Sequence, residues 1–405
     1  MFESRSGRSA IALVAAGVLA LGVIGPAAAQ DEEVSGEVTI WTYVPQPEDK
    51  LPEFFAEAYP NVKVNVVEVP FLELPPKVLT SATTGSGPDI VQYNGADAQR
   101  LYVAGALTDM DAYWQAYEDK DKFGEGAIAM ADGKVIGAQS YANLIALAYN
   151  KGILDELGIA VPETLEQFDA ALMAIAENSD YVPLQIPGTG AIEGDWIAKP
   201  FFAGAGVDYT NLDSAEALAV YEMVESWITN GYVSPDSVSL SQNDGEPNFL
   251  AGNTAFFVPG NWQITSLRDN ADFEVGYARM PAGPQGSIVY LGGEMLSLGA
   301  FGENPDLAWE MLKTNYYSAA AQANLIQKTG SIPIRADALE LVESIAPAIE
   351  VYAGAAGDSV ALPGGEIGPK QSTAFGDIWN ALFAGQLDAA GAQAAAVERV
   401  QSLNE

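Results

Sequence analysis

The strongest constraint on this chain is a regular alternation of strand-type and helix-type segments that begins near residue 37. Residues 37–43 are rich in β-branched and aromatic side chains and read as a strand. Leu51, Phe54, Phe55 and Ala58 follow at helical spacing and stop before Pro60, which bars its predecessor from helical geometry. A strand over 62–69, a helix over 74–84 and a strand over 89–93 come next. This succession predicts an α/β lobe with a mostly parallel sheet joined by helical crossovers. Ligands of such sheets lie beyond the carboxyl ends of the strands, where loops gather. Topology alone therefore directs attention to the loops over 43–49 and 93–97.

The later chain keeps the pattern. A helix pair over 151–178 is broken by Gly158 and Pro162, and Thr164 with Gln167 forms a capping box that starts its second member. Further helices read over 215–230, 305–328, 336–352 and 373–403, and Thr254 to Val258 reads as an apolar strand. The chain is long for a single core, which predicts two domains. With no repeat or low-complexity linker, short crossings must join them.

The first 29 residues stand apart. Arg5 and Arg8 precede an apolar run over 10–25, then Pro26 and Ala27, Ala28 and Ala29. The run is shorter than the roughly 18 residues of a membrane span and ends in small residues, so residues 1–29 read as a cleavable secretory signal. The chain has no cysteine. Disulfides are excluded, and so is a lipid-bearing cysteine after the signal, which predicts a freely soluble, monomeric periplasmic protein.

Charge and residue types exclude several functions. Asp and Glu number 54 against 18 Lys and Arg, a net charge of −36, and loss of the signal makes the balance more acidic still. Phosphate binding rests on basic clusters, so nucleic acid is excluded as a partner. The surplus reads as a solubilising surface, with salt adaptation or attraction of a cationic ligand as alternatives. Histidine is absent too. Ser-His-Asp and Cys-His nucleophiles and His-rich zinc sites are thereby excluded, whereas the two carboxylates of a glycosidase are not. No cofactor and no metal are expected. Tyr316-Tyr317 continues a helix and makes a poor ferric site, and the carboxylates from Asp109 to Asp121 lack the spacing of a calcium loop.

An ordered series of short motifs carries a resemblance. It runs Thr39-Ile40-Trp41; Phe54-Phe55 with Tyr59-Pro60-Asn61-Val62-Lys63-Val64; Thr84-Gly85-Ser86-Gly87-Pro88-Asp89-Ile90-Val91; and Ala104-Gly105-Ala106-Leu107-Thr108-Asp109-Met110-Asp111. Asp132-Gly133-Lys134-Val135-Ile136-Gly137, Tyr149-Asn150-Lys151, Gly158 with Pro162-Glu163-Thr164, and Phe249-Leu250-Ala251-Gly252-Asn253-Thr254-Ala255 before Gly260-Asn261-Trp262 complete it. The chain resembles the family 1 extracellular solute-binding proteins, the group that contains the maltodextrin- and other sugar-binding proteins of ABC importers. The resemblance implies a two-lobe periplasmic binding protein fold of type II, with three crossings and a hinge that closes on ligand. It places the crossings near 139–141, 293–297 and 331–333. The first lobe is then 36–140 plus 295–331, and the second 141–294 plus 332–405. The implied ligand is a mono- or oligosaccharide and the implied partners are membrane permease subunits.

A sugar offers hydroxyls to planar amides and carboxylates and C–H faces to aromatic rings. Loops that pair these types supply the candidates: Tyr43 with Gln46, Tyr93 and Asn94 with Asp97, Asp195 with Trp196, Asn261 with Trp262, and Gly293 with Glu294. Tyr141 joins them, although Gln139 stands where the family usually has proline. Gly260-Asn261-Trp262 resembles the family's Gly-Pro-Trp element, which implies that Trp262 meets the ligand. Trp114, Trp227, Trp309 and Trp379 lie in helical stretches and read as core, as does Trp41 in its strand. A polyamine or other cationic or polyol solute, and a secreted glycosidase, are the alternative functions.

Overall fold

The computed structural model describes residues 34–44, 53–341, 347–356, 358–365 and 367–404; residues 1–29, read above as a secretory signal, and Gln46 lie outside them. Twelve strands occur among the described residues. They are β1 (Ser35–Thr42), β2 (Asn61–Glu68), β3 (Ile90–Asn94), β4 (Ile128–Ala131), β5 (Lys134–Gln139), β6 (Leu147–Asn150), β7 (Val182–Gln185), β8 (Thr254–Phe257), β9 (Val275–Ala278), β10 (Tyr290–Leu291), β11 (Glu294–Leu298) and β12 (Val360–Ala361). A six-stranded sheet runs β2-β1-β3-β11-β5-β4 and a four-stranded sheet runs β7-β8-β6-β9. Helices flank both, and each sheet is the centre of one lobe of an α/β fold. The pair β10 and β12 forms a small third sheet.

Both sheets are mixed, where the alternation implied mostly parallel pairing. β1 pairs in parallel with β2 and β3, as two strand–helix–strand units require. β11 then arrives from the far side of the chain and lies antiparallel to both β3 and β5. In the second sheet only β7 and β8 are parallel, because β6 meets β8 and β9 head to tail.

The cores explain the tryptophans. Trp114 and Trp309 are buried with Phe123 and Tyr317 in the first lobe, with Trp114 edge-on to Phe123 at 5.1 Å and to Trp309 at 6.4 Å. Trp227 and Trp379 are buried in the second lobe, where Trp379 stacks on Phe201 at 6.1 Å. Trp41 is only half-buried, and Lys77 lies over its ring at 4.5 Å.

Three helices differ from the periodicity. The helix over 305–328 divides into Pro305–Leu312, a π turn Lys313–Tyr317 and Ala319–Thr329. Ser318 is extended and caps the restart, accepting from the Ala321 amide at 3.1 Å, while both tyrosines of the π turn are buried. The segment over 373–403 divides into Gly368–Phe383 and Ala389–Arg399, with Asp388 capping the second piece. The segment over 336–352 becomes a 3-10 turn and a separate helix Pro347–Ala356.

One helix escaped the sequence reading. Ala191–Gly204 is largely buried, carries Pro200 and spreads Glu193, Asp195 and Lys199 over more than one face, so neither period nor composition marked it. It packs on Gly368–Phe383 with backbones almost touching: a β-carbon on Gly376 would lie 1.6 Å from the Ala191 carbonyl oxygen. Gly376→Ala is therefore expected to cost about 1–3 kcal/mol in urea unfolding, the usual price of overpacking. An unchanged midpoint would refute this contact.

The lobes are connected by three stretches of chain lying side by side. Ala142 and Ile332 exchange backbone hydrogen bonds of 2.8 and 3.2 Å, and Asn143 and Gly292 exchange two of 3.1 and 2.9 Å. The stretch after β5 thus runs between the other two. The third stretch stays on the first lobe beyond residue 332. Arg335 is buried there, donating to Asp119 at 3.1 Å, Asp337 at 2.7 Å and the Tyr317 carbonyl at 2.6 Å. Among the described residues no helix is long and apolar enough to cross a membrane.

Candidate ligand-binding cleft

Glu294 stands where the three connecting stretches meet. It opens β11, is buried, and gathers side chains from two other segments around its carboxylate. The Tyr43 hydroxyl, just past β1, donates to Oε1 at 3.0 Å. Asn143 Nδ2 lies 3.3 Å from Oε1 and 3.1 Å from Oε2, and the Tyr141 hydroxyl faces the same group. Burial pushes the Glu294 carboxyl up to about 7, opposed by hydrogen bonds from Tyr141, Tyr43 and Asn143. Burial beside this carboxylate also holds both tyrosines well above their usual range.

Gly293 makes the meeting possible. Its φ is +132°, and a β-carbon there would lie 2.0 Å from the Tyr141 carbonyl oxygen. Only glycine lets the two stretches approach so closely.

Asn261 extends the arrangement into the second lobe. It is fully buried, its Oδ1 accepts from the Leu144 amide at 2.8 Å, and its Nδ2 donates to Asn143 Oδ1 at 3.2 Å and to the Gly330 carbonyl at 3.1 Å. Trp262, next in sequence, is half-buried and folds its ring over Gly260, with Nε1 donating to Asn243 Oδ1 at 2.9 Å. Proline in place of Asn261 could not make these side-chain bonds.

The other candidates divide. Asp97 is buried and accepts from Arg100 at 2.6 Å; burial raises its carboxyl while Arg100 pulls it down. Tyr93 is fully buried with its hydroxyl 2.7 Å from Ser297 Oγ, and Asn94 accepts from the Ala96 amide at 3.0 Å. These two are engaged inside the first lobe. Asp195 lies in the interior of the second lobe, accepting from Ser372 at 2.6 Å, with Tyr209 and Tyr290 facing it and Lys199 nearby. Burial pushes its carboxyl up to about 6. Trp196 stacks on Tyr290 at 6.0 Å and reaches Gly292 of the stretch that leads into β11, while its buried Nε1 has no hydrogen-bond partner among the described residues.

The structure thus brings Tyr43, Tyr141, Asn261, Gly293 and Glu294 together. It leaves Tyr93, Asn94 and Asp195 in separate settings. Asn143, Tyr290 and Asn243 belong to the same neighbourhoods and were not singled out. Asn143 had a signal, since it lies two residues beyond Tyr141 in the first expected crossing.

Comparison with known proteins decides the family. Residues 50–351 match the family described as bacterial extracellular solute-binding protein. The chain belongs to that family. Its members and the relatives below are binding proteins rather than enzymes. The diacetylchitobiose-binding protein DasA of Streptomyces coelicolor is 26% identical over 311 residues, covering 71% of this chain and 69% of DasA. The xylose/arabinose-binding protein XacG of Haloferax volcanii is 28% identical over 318 residues, covering 69% of this chain and 65% of XacG. Among solved structures, the GacH receptor of Streptomyces glaucescens, described unliganded and with acarbose, superposes with a TM-score of 0.83 at 25% identity. It covers 92% of this chain and 99% of GacH. Maltose-bound MalE3 of T. maritima superposes with a TM-score of 0.80 at 20% identity, covering 91% and 100%. As a solute-binding protein of this fold, the chain has two lobes.

Proposed function

We propose that the protein is the periplasmic sugar-binding component of an ABC importer, capturing a mono- or oligosaccharide between its lobes and presenting it to permease subunits. The assignment is supported by the named sugar ligands of its relatives. The observation that carries it is the group at the crossings, where Tyr43, Tyr141 and Glu294 lie beside Asn143 and Asn261, with Trp196 and Trp262 on the second lobe. Planar polar groups interleaved with aromatic rings suit hydroxyls and C–H faces. In this reading the first lobe is 36–140 plus 295–331, the second is the rest, and 332–341 rides on the first. Binding is followed by release of the unchanged ligand, with no bond broken.

A cationic ligand is less well supported by the same geometry. Glu294, its carboxyl pushed up to about 7 by burial, is only partly ionised at neutral pH, and Asp97 is already paired with Arg100. A thermal-shift screen over sugars, polyols and polyamines tests the reading, since a ligand raises the melting temperature by mass action. A sugar is expected to give the largest shift; a shift by polyamines alone, or turnover of an oligosaccharide, would overturn the proposal.

Salt separates two effects of the acidic surface. Affinity for a neutral sugar is expected to be unchanged between low and high ionic strength. Stability without ligand is expected to rise with salt, because screening relieves the self-repulsion of a −36 chain. A melting temperature flat across sodium chloride concentrations would contradict the second expectation.

A further inference from the structure

The hydrogen bonds around Glu294 and Asn261 are two ends of one chain of contacts. From the third connecting stretch, the Gly330 carbonyl accepts from Asn261 Nδ2 at 3.1 Å. Asn261 Nδ2 also donates to Asn143 Oδ1 at 3.2 Å, in the middle stretch. Asn143 Nδ2 donates to Glu294 at 3.1 and 3.3 Å, where β11 begins. Glu294 accepts from Tyr43 at 3.0 Å, at the end of β1. Each amide nitrogen and each amide oxygen of the two asparagines has a partner, and the direction of donation between them is fixed, because the Gly330 carbonyl only accepts and the Leu144 amide only donates.

The setting makes this chain more than a local brace. Asn261 grips Leu144 twice, through Oδ1 to the amide at 2.8 Å and through its own amide to the Leu144 carbonyl at 3.1 Å. The residue that follows it is Trp262, on the second lobe, and the far end of the chain is Tyr43, on the first. Asn261 is fully buried, so water cannot replace a lost partner without opening the hinge.

We infer that Asn261 and Asn143 are positioning residues that set the spacing and angle of the two lobes, and so the distance between Trp262 and Tyr43 across the cleft. The inference rests on the cleft reading above and deepens it: the asparagines hold the walls and need not touch the ligand. An amide pair with one member fully buried suits this task. It is uncharged, so the bonds that Asn261 makes to Asn143, Leu144 and Gly330 involve no titrating group.

The chain's lack of cysteine permits a direct test. Val103 is 76% exposed on the first lobe and Met173 is 43% exposed on the second. A Val103→Cys, Met173→Cys protein carrying two spin labels reports the interlobe distance by pulsed electron resonance, with no ligand present. Asn261→Ala and Asn143→Ala are each expected to shift the mean distance and broaden its distribution. The double variant is expected to go no further than the larger single effect, because both break the same chain. Distributions that superpose on the unsubstituted protein while the melting temperature falls would reduce both residues to ordinary packing and overturn the inference. Additive shifts would overturn the single chain of contacts. If Asn261→Ala fails to fold, Asn143→Ala carries the same test. Because no sugar is used, failure here is distinct from failure of the ligand screen.

Discussion

Replacing Trp262 with alanine is expected to weaken binding of the sugar found in the ligand screen by at least tenfold, about 1.4 kcal/mol or more. The indole is half-buried, attached to the second lobe through Asn243, and seated next to the buried Asn261. Its loss removes a large flat apolar face without disturbing the backbone bonds that Asn261 makes to Leu144. Far-ultraviolet circular dichroism should therefore match the unsubstituted protein. Calorimetry giving the same Kd for both proteins would remove Trp262 from the ligand's surroundings and leave it a cover for Gly260.

The second large effect concerns pH. Burial raises the Glu294 carboxyl from its ordinary 4.5 to about 7, and no cation stands among the groups that shift it. Between those two values the folded protein holds a proton that the unfolded chain has released. Stability from this group is therefore greatest below about pH 4.5 and falls as pH rises through 7, by about 3 kcal/mol in all. Asp195, raised to about 6 by burial, acts in the same direction. Glu294→Gln keeps one carbonyl oxygen as an acceptor and cannot ionise, so urea-unfolding stability should decline less between pH 5 and 8 than in the native sequence. Parallel curves for the two proteins would show that Glu294 does not titrate in this window.

The fold was legible where local signals and packing agree. The strands near 37, 62, 89 and 254 carry β-branched residues that each sheet buries, and Gly85, Gly158 and Thr164 end or start helices with the geometry their types prefer. Pairing direction was less legible, because β11 is far in sequence from the strands it joins and its antiparallel entry leaves no local trace. The helix Ala191–Gly204 was hidden for a related reason: largely buried, with its charged residues on different faces, it has no single polar face to set a period. Glu294, Gly293, Tyr43 and Tyr141 were singled out by placing loops at strand ends and crossings, and the structure brings them together. Asp195 shows the limit of that method. Its neighbour Trp196 turns toward the crossing, while the carboxylate one residue earlier on the helix turns inward to Ser372. Side-chain direction on a helix depends on which face meets the core, and an apolar helix conceals that face.

The three connecting stretches also bear on how a ligand is measured. Because the middle one is bonded to a neighbour on either side, they form a single narrow ribbon, and under the proposed function the lobes would turn about it. A ligand that is too long would stop that rotation early, and one that is too short would let it run past the point where both walls make contact. Length is thus converted into an angle, which a membrane partner spanning both lobes can read without touching the sugar.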